Sequence, residues 1–125
     1  MKDMKNILAG ALNGNADAQY NLGIMYASGL GVIQDYNEAV KWFRLSSSQG
    51  NAQAQEIYGL MYASGRGVTH DYVRAYMWWN ISASSGNKNA VSNRDKVSKM
   101  MTPTQIEKAQ EMARRCYSSN FKNCD

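Results

Sequence analysis

The apolar and polar positions along this chain repeat with a period of 36 residues. Residues 14–49 align with residues 50–85 without a gap and agree at 19 of 36 positions, where unrelated segments would agree at roughly one position in twenty. A third copy opens at Gly86-Asn87, 36 residues after Gly50-Asn51. A period of this length is typical of stacked helical units that bury their apolar faces against their neighbours. The sequence therefore predicts a repeat array.

Each copy is predicted to form two helices joined by a glycine-rich loop. Paired glycines recur in the loop, as Gly29-x-Gly31 and Gly65-x-Gly67, and suit a helix end followed by a turn that needs positive φ. Asp35 and Asp71 stand just before the second helix, where a carboxylate caps free N–H groups. The pattern predicts first helices (A helices) at 16–28 and 52–64, and second helices (B helices) at 36–48 and 72–84.

Small and aromatic residues recur at positions that predict helix packing. Small residues let two helices approach closely, and aromatic rings fill the space between copies. The recurring pairs are Ala18/Ala54, Gly23/Gly59, Tyr26/Tyr62, Ala39/Ala75 and Trp42/Trp78. We therefore interpret Trp42 and Trp78 as packing residues, and we expect Met25 and Met61 to be buried. Trp79 has no tryptophan counterpart, since Phe43 stands at that position, but a packing role is open to it too.

The flanking segments continue the scheme. Residues 3–12 occupy the place of a preceding B helix, and residues 89–101 the place of a third, diverged A helix. Thr102-Pro103-Thr104-Gln105 then combines an N-cap, a proline in the first turn and a capping box. The helix that follows, to about residue 117, is expected to close the stack through a stripe of Ile106, Ala109, Ala113 and Cys116.

These elements predict an all-α fold, a short αα-superhelix (α-solenoid) of about seven helices. One domain is expected over residues 1–125. It comprises a partial N-terminal repeat helix (1–13), two full repeats (14–49 and 50–85) and a diverged C-terminal part with a capping helix and tail (86–125).

The repeated residues carry a family resemblance. The first copy has Ala18-Gln19-x-x-Leu22-Gly23-x-x-Tyr26-x-x-Gly29-x-Gly31-Val32, then Asp35, Ala39 and Trp42. This resembles the Sel1-like repeat, a relative of the tetratricopeptide repeat. The second copy, from Ala54 to Trp78, is similar except that Tyr58 stands where the family usually has leucine. The segment from Asn93 to Arg114 resembles the C-terminal part of short bacterial Sel1-like proteins.

The resemblance implies an adaptor or scaffold that binds another protein or a peptide, without catalysis and without a cofactor. A cysteine-rich branch of the family, some of whose members have been linked to β-lactam binding, is not supported, because the two full repeats contain no cysteine. The identity of the partner does not follow from the fold. Self-association through an open end of a short array, or a longer array of which this chain is a fragment, are alternatives.

The positions that differ between copies indicate a candidate binding surface. On the first A helix they include positions 17, 20, 21 and 24, which share one helix face. Repeat arrays keep packing residues alike and vary those that meet a ligand. The predicted partner-binding groove, on the concave side of the A helices, is Tyr20, Asn21, Ile24, Glu56, Ile57, Leu60, Asn93 and Lys96, with Asn89 and Ser92 beside the last two. The alternative is neutral surface variation, or ordinary packing for the aliphatic residues.

No catalytic or metal-binding set is predicted. The single histidine, His70, lies in a loop next to the capping Asp71, and metal sites usually need three or four ligands. An envelope-associated or secreted ligand-binding or enzymatic protein therefore remains only an alternative reading.

The net charge of +4 lies entirely in the C-terminal third. Residues 88–125 carry eight Lys or Arg against four Asp or Glu, whereas residues 1–87 carry six of each. Such a surface could attract nucleic acid or anionic lipid. No nucleic-acid motif accompanies the charge, so a solvated helix face is the preferred interpretation.

Cys116 and Cys124 are the only cysteines, and they are disulfide candidates because the tail can turn back on the last helix. A disulfide would indicate an oxidising compartment such as a periplasm or the cell exterior, and two free thiols the cytoplasm. No signal peptide and no transmembrane segment are predicted from the chain.

Overall fold

The structure, a computed structural model, describes residues 2–124, with side chains over residues 4–124. Within that part it contains seven α-helices, of which the first six pack in sequence, and this confirms the predicted all-α solenoid. The helices are α1 Lys2–Leu12, α2 Ala16–Ser28, α3 Tyr36–Ser47, α4 Ala52–Ser64, α5 Tyr72–Ser84, α6 Lys88–Ser98 and α7 Pro103–Ser118. The A helices are α2, α4 and α6, and the B helices of the two full repeats are α3 and α5.

The helix ends follow the predicted local chemistry. Gly29 and Gly65 end α2 and α4 in the left-handed region, at φ of 72° and 69°. Asp35 and Asp71 cap α3 and α5 through their side-chain oxygens. Thr102 and Gln105 form the capping box of α7. Each end thus satisfies backbone groups that a helix leaves without an internal partner.

Three asparagines, spaced 36 residues apart, open the A helices. The side chains of Asn15, Asn51 and Asn87 each accept a backbone N–H from the first turn of their own helix. The amide of Asn51 also donates to Asp17 Oδ1 of the preceding A helix at 3.0 Å. One residue type therefore both starts an A helix and ties it to its neighbour.

The third A helix is shorter than predicted. It ends at Ser98, three residues before the expected Met101. The residue before a proline is disfavoured in the helical region, so a turn is needed before Thr102 caps α7. In this turn the N–H of Met100 donates to the carbonyl of Val97 at 2.9 Å, and Met101 is buried.

Two apolar clusters form the core. The larger one includes Phe43, Tyr58, Trp78 and Trp79 and spans α3 to α7. The smaller one centres on Ala11, Leu22 and Met25, and Trp42 packs against it half-buried. Trp78 and Trp79 are buried, as are Met25 and Met61, in agreement with their interpretation as packing residues.

The last helix packs on α5 rather than forming a hairpin with α6. Gln110 Nε2 donates to Tyr76 Oη at 3.3 Å, and further along both helices Ile81 lies opposite Ala113, so α5 and α7 run side by side in the same direction. The buried residues of α7 are Ala109, Met112, Ala113 and Cys116; the predicted stripe lacked Met112. By contrast, α2 with α3 and α4 with α5 pack as hairpins.

The tail after α7 folds back on the helix. Cys116 and Cys124 are joined by a disulfide, with their Cα atoms 4.3 Å apart, and both are buried. The N–H of Phe121 donates to the carbonyl of Cys116 at 2.8 Å. The Phe121 ring meets the turn at Gly50, where an added Cβ would lie 3.2 Å from Phe121 Cε2. The tail thus connects the last helix to the turn between α3 and α4.

Between residues 2 and 124, the helices are too short or too polar to span a bilayer.

Candidate interaction surfaces

The eight residues predicted to form a groove lie on successive A helices and keep at least part of their surface accessible. We call this set the A face: Tyr20, Asn21 and Ile24 on α2, Glu56, Ile57 and Leu60 on α4, and Asn93 and Lys96 on α6. Asn21, Leu60 and Lys96 are exposed, and the other five are half-buried. Tyr20, Ile24 and Ile57 also pack partly against the larger core cluster. These three residues therefore contribute to packing as well as to surface.

Tyr20 and Glu56 are close enough to interact electrostatically across two A helices. Burial, and to a smaller extent the Glu56 carboxylate, raise the pKa of the Tyr20 hydroxyl above its ordinary value of 10.0. The Tyr20 ring lies at 6.2 Å from the Phe43 ring, centroid to centroid, in a tilted arrangement. Tyr20 is thus a rigid aromatic neighbour of a carboxylate on the A face.

Glu56 is held by groups on both sides. Asn87 Nδ2 donates to Glu56 Oε1 at 3.3 Å, and Trp79 Nε1 donates to the Glu56 backbone carbonyl at 2.9 Å. A cavity of about 280 Å³ beside it is lined by Gln53, Glu56, Asn87 and Asn89, among other residues. This part of the surface presents amide groups and one carboxylate, which are suited to a polar backbone or side chain.

A mostly apolar crevice lies further along α6. It has a volume of about 240 Å³, and its walls include Tyr72, Trp79, Val97 and Met100. Asn93 and Lys96 of the A face stand at the same crevice. Met100 is 66% exposed. The structure therefore places an apolar recess, a cation and an amide together.

The basic residues of the C-terminal third are divided between helices that do not pack on each other. Lys88, Lys96 and Lys99 lie on or just after α6, whereas Lys108 and Arg115 lie on α7, which packs on α5. Arg94 and Arg114 are paired with Asp95 and Glu111. The structure thus offers no single basic stripe in residues 88–124 of the kind that tracks a nucleic-acid backbone.

His70 is exposed in the loop before α5, where its ring contacts the Tyr72 ring edge-on at 4.3 Å. In the described part of the chain, no group of three or more His, Cys, Asp or Glu side chains is placed to hold a metal ion.

One feature that sequence reasoning missed is a polar cavity between α3 and α5. It has a volume of about 520 Å³ and is lined by Arg44 of α3 and Arg74 of α5, among other residues. Buried Tyr58 lies next to it and accepts a hydrogen bond from Arg44 Nε. The signal in the sequence was Tyr58 itself, a hydroxyl at a position where the first copy has Leu22.

Comparison with known proteins identifies the same repeat in this chain. The family model for the Sel1 repeat matches residues 16–51 and 52–87, two adjacent units that begin two residues after the copies aligned above. A comparison with curated proteins gives no match.

Two solved structures are similar to the chain. One is a protective antigen present in uropathogenic Escherichia coli strains and displaying an SLR fold; it superposes with a TM-score of 0.89 over 94% of this chain at 29% identity. The other is a Sel1 repeat protein from Oxalobacter formigenes, with a TM-score of 0.71 over 73% of this chain at 38% identity. The chain spans about a quarter of the length of each of these two proteins, 26% in both cases.

Proposed function

We propose, because the chain belongs to the Sel1 repeat family, that it is an adaptor that binds a peptide segment of a partner protein across its A face. This family typically mediates interactions between proteins and is usually non-enzymatic. The observation that carries the proposal is the crevice lined by Trp79, Val97 and Met100, at which Lys96 and Asn93 of the A face stand.

The mechanism is display of varied side chains on fixed helices. The A helices are held to one another by capping asparagines and to their B helices by close packing, so little conformational entropy is lost when a partner binds. The exposed apolar side chain of Leu60, 43% accessible, supplies contact area on α4. Glu56 and Lys96 supply opposite charges on neighbouring A helices, and these charges would fix the orientation of a bound peptide.

The test is a selection of linear peptides on the folded protein, followed by affinity measurements on variants. The double variant Leu60→Ser/Lys96→Glu should weaken binding of the selected peptides by at least about tenfold, since a few buried contacts carry most of the binding energy. The matched control is Lys41→Glu, because Lys41 is an exposed lysine on the B helix α3. Binding that the double variant leaves unchanged, or that Lys41→Glu weakens as much, would contradict the proposal.

A further inference from the structure

The groove between α4 and α6 contains two cavities, one towards each end. The early residues of both helices line the polar cavity beside Glu56, and their later residues line the crevice at Lys96. The two helices therefore run side by side in the same direction. At a rise of about 1.5 Å per residue, the step from Asn89 of the cavity to Val97 of the crevice places the two about 12 Å apart.

Each cavity has one charged residue in its lining, and the two charges are opposite. Among the described residues, Glu56 is the charged one that lines the polar cavity, and Lys96 is the charged one that lines the crevice. In the part of the chain that the structure describes, neither side chain is within ion-pair distance of an opposite charge. The groove thus has an acidic end and a basic end.

Comparison of the copies shows that these charges are not required by the stacking of the A helices. The corresponding groove one repeat earlier lies between α2 and α4, and its counterparts of Glu56 and Lys96 are Tyr20 and Leu60. The array forms there with no charge at either position. Residues that vary while the packing is kept are those that a repeat array uses to select a ligand.

Side-chain amides line the groove together with the two charges. Gln53 and Asn89 belong to the polar cavity, and Asn93 belongs to the crevice. Within residues 4–124 these three amides form no hydrogen bonds, so each is free to donate and to accept. A helical peptide pairs its own backbone N–H and C=O groups, whereas an extended peptide leaves them for other partners. The amides therefore favour an extended peptide.

We propose that the groove between α4 and α6 binds an extended peptide with a basic residue at one end and, about four positions away, an apolar residue that has an acidic residue within about two positions of it. Four positions of extended chain cover about 13 Å and return the side chain to the same side, which matches the separation of the two cavities. The basic side chain pairs with Glu56, the apolar one enters the crevice against Trp79 and Val97, and the acidic one pairs with Lys96.

This inference rests on the proposed binding of a peptide by the A face, and it specifies the chemistry of that peptide. Charge complementarity supports it, since opposite charges across an interface fix the register of a ligand and exclude ligands with the reverse order. The apolar crevice supplies contact area between the charges.

The test compares linear peptides selected from a random library on the wild-type protein and on Lys96→Glu. Peptides selected on the wild type should carry an acidic residue beside the apolar one, and those selected on Lys96→Glu should carry a basic residue there. The wild-type peptides should bind Lys96→Glu about fivefold or more weakly, because an attraction becomes a repulsion. Lys108→Glu, the same charge change at an exposed lysine of α7, is the matched control and should keep affinity within about twofold.

Glu56→Gln tests the acidic end of the groove. Glutamine keeps the size of the side chain and an oxygen that can accept from Asn87. Peptides selected on Glu56→Gln should lose the preference for a basic residue and keep the pair of apolar and acidic residues. A basic preference that persists in Glu56→Gln, or an acidic preference that persists in folded Lys96→Glu, would overturn the inference.

The outcomes separate this inference from the proposed function. If the double variant Leu60→Ser/Lys96→Glu weakens the binding of peptides that show no order of charges, the inference is wrong and the proposed function stands. If no linear peptide is selected, or if the double variant leaves binding unchanged, both are overturned. Should Lys96→Glu fail to fold, Lys96→Gln takes its place, and loss of the acidic preference is then the expected result.

Discussion

The indole of Trp79 lies against the backbone of Gly59, so closely that a Cβ at position 59 would stand 2.8 Å from Trp79 Nε1. The first copy repeats this relationship with Phe43 and Gly23, where the distance from an added Cβ to Phe43 Cε1 would be 2.7 Å. Each full repeat therefore joins its A helix to its B helix by a large ring seated on a glycine, which explains why glycine recurs in the middle of a helix despite its low helix propensity.

Substitution of Gly59 by alanine should lower the free energy of unfolding by about 1–2 kcal/mol. Overpacking a filled core costs about 1–3 kcal/mol, and the better helix propensity of alanine offsets up to about 1 kcal/mol of this. Urea denaturation followed by far-ultraviolet circular dichroism measures the change. Gln53→Ala, at an exposed position of the same helix, is the control; equal stability of the two variants would contradict this packing.

Gly67→Ala should destabilise the protein more than Gly65→Ala does. Both glycines have positive φ, 74° and 69°, so both alanine variants pay a backbone cost of about 1–2 kcal/mol. A Cβ at Gly67 would also stand 2.5 Å from the Tyr36 carbonyl oxygen of the neighbouring repeat, whereas at Gly65 the nearest atom is His70 Cβ at 3.4 Å. Thermal unfolding of the two variants gives the difference directly, and the opposite ranking would show that the loop does not approach α3 as described.

Reduction of the disulfide between Cys116 and Cys124 should lower stability by about 2–3 kcal/mol, the chain-entropy contribution of a closed loop of this size. The tail, including Phe121, would then be free to move away from the turn at Gly50. Urea titrations with and without a phosphine reductant measure the effect. Cys116→Ser/Cys124→Ser is the control, since its stability should not respond to the reductant; an unchanged wild-type midpoint would contradict a stabilising role of the disulfide.

Tyr20 makes stability depend on pH in the alkaline range. Burial first, and Glu56 second, raise the pKa of the Tyr20 hydroxyl, so the folded state binds this proton more tightly than the unfolded chain. The resulting stability is present below the unfolded pKa of about 10 and is lost as the pH rises through the folded pKa.

Glu56→Gln should lower the pKa of Tyr20 only part of the way towards its ordinary value, because burial, the larger cause, remains. The NMR shift of the Tyr20 Cζ carbon against pH measures this, with the exposed Tyr117 as an internal reference. An unchanged pKa of Tyr20 in Glu56→Gln would show that the Glu56 carboxylate does not act on the Tyr20 hydroxyl, and would contradict their proximity on the A face.

Most of the helices could be predicted from the sequence because local signals mark their ends. The glycine pairs, Asp35, Asp71 and the Thr102 capping box act within a few residues of their own position, so their effect is readable without knowledge of the tertiary structure. The duplication then assigns the same elements to both copies.

What the sequence did not predict depends on contacts between distant segments. The apolar stripe of α7 predicted a buried face, but a stripe does not specify whether α5 or α6 covers it. Arg44 and Tyr58 are 14 residues apart and come from different repeats, so their hydrogen bond follows only from the stacking of α3 on α4. The A face could be predicted only in part. The repeat period places its residues on one side of the stacked A helices, but the exposure of each side chain depends on how it packs.

Photo-crosslinking in cells tests whether the A face is the surface that binds a partner. Benzoylphenylalanine would replace Leu60 of α4 or, as a matched control, Leu45 of α3; the two leucines are 43% and 48% exposed but lie on an A helix and a B helix. A discrete protein adduct is expected from position 60 and none from position 45. The same adduct from position 45 alone, or equally from both, would contradict it.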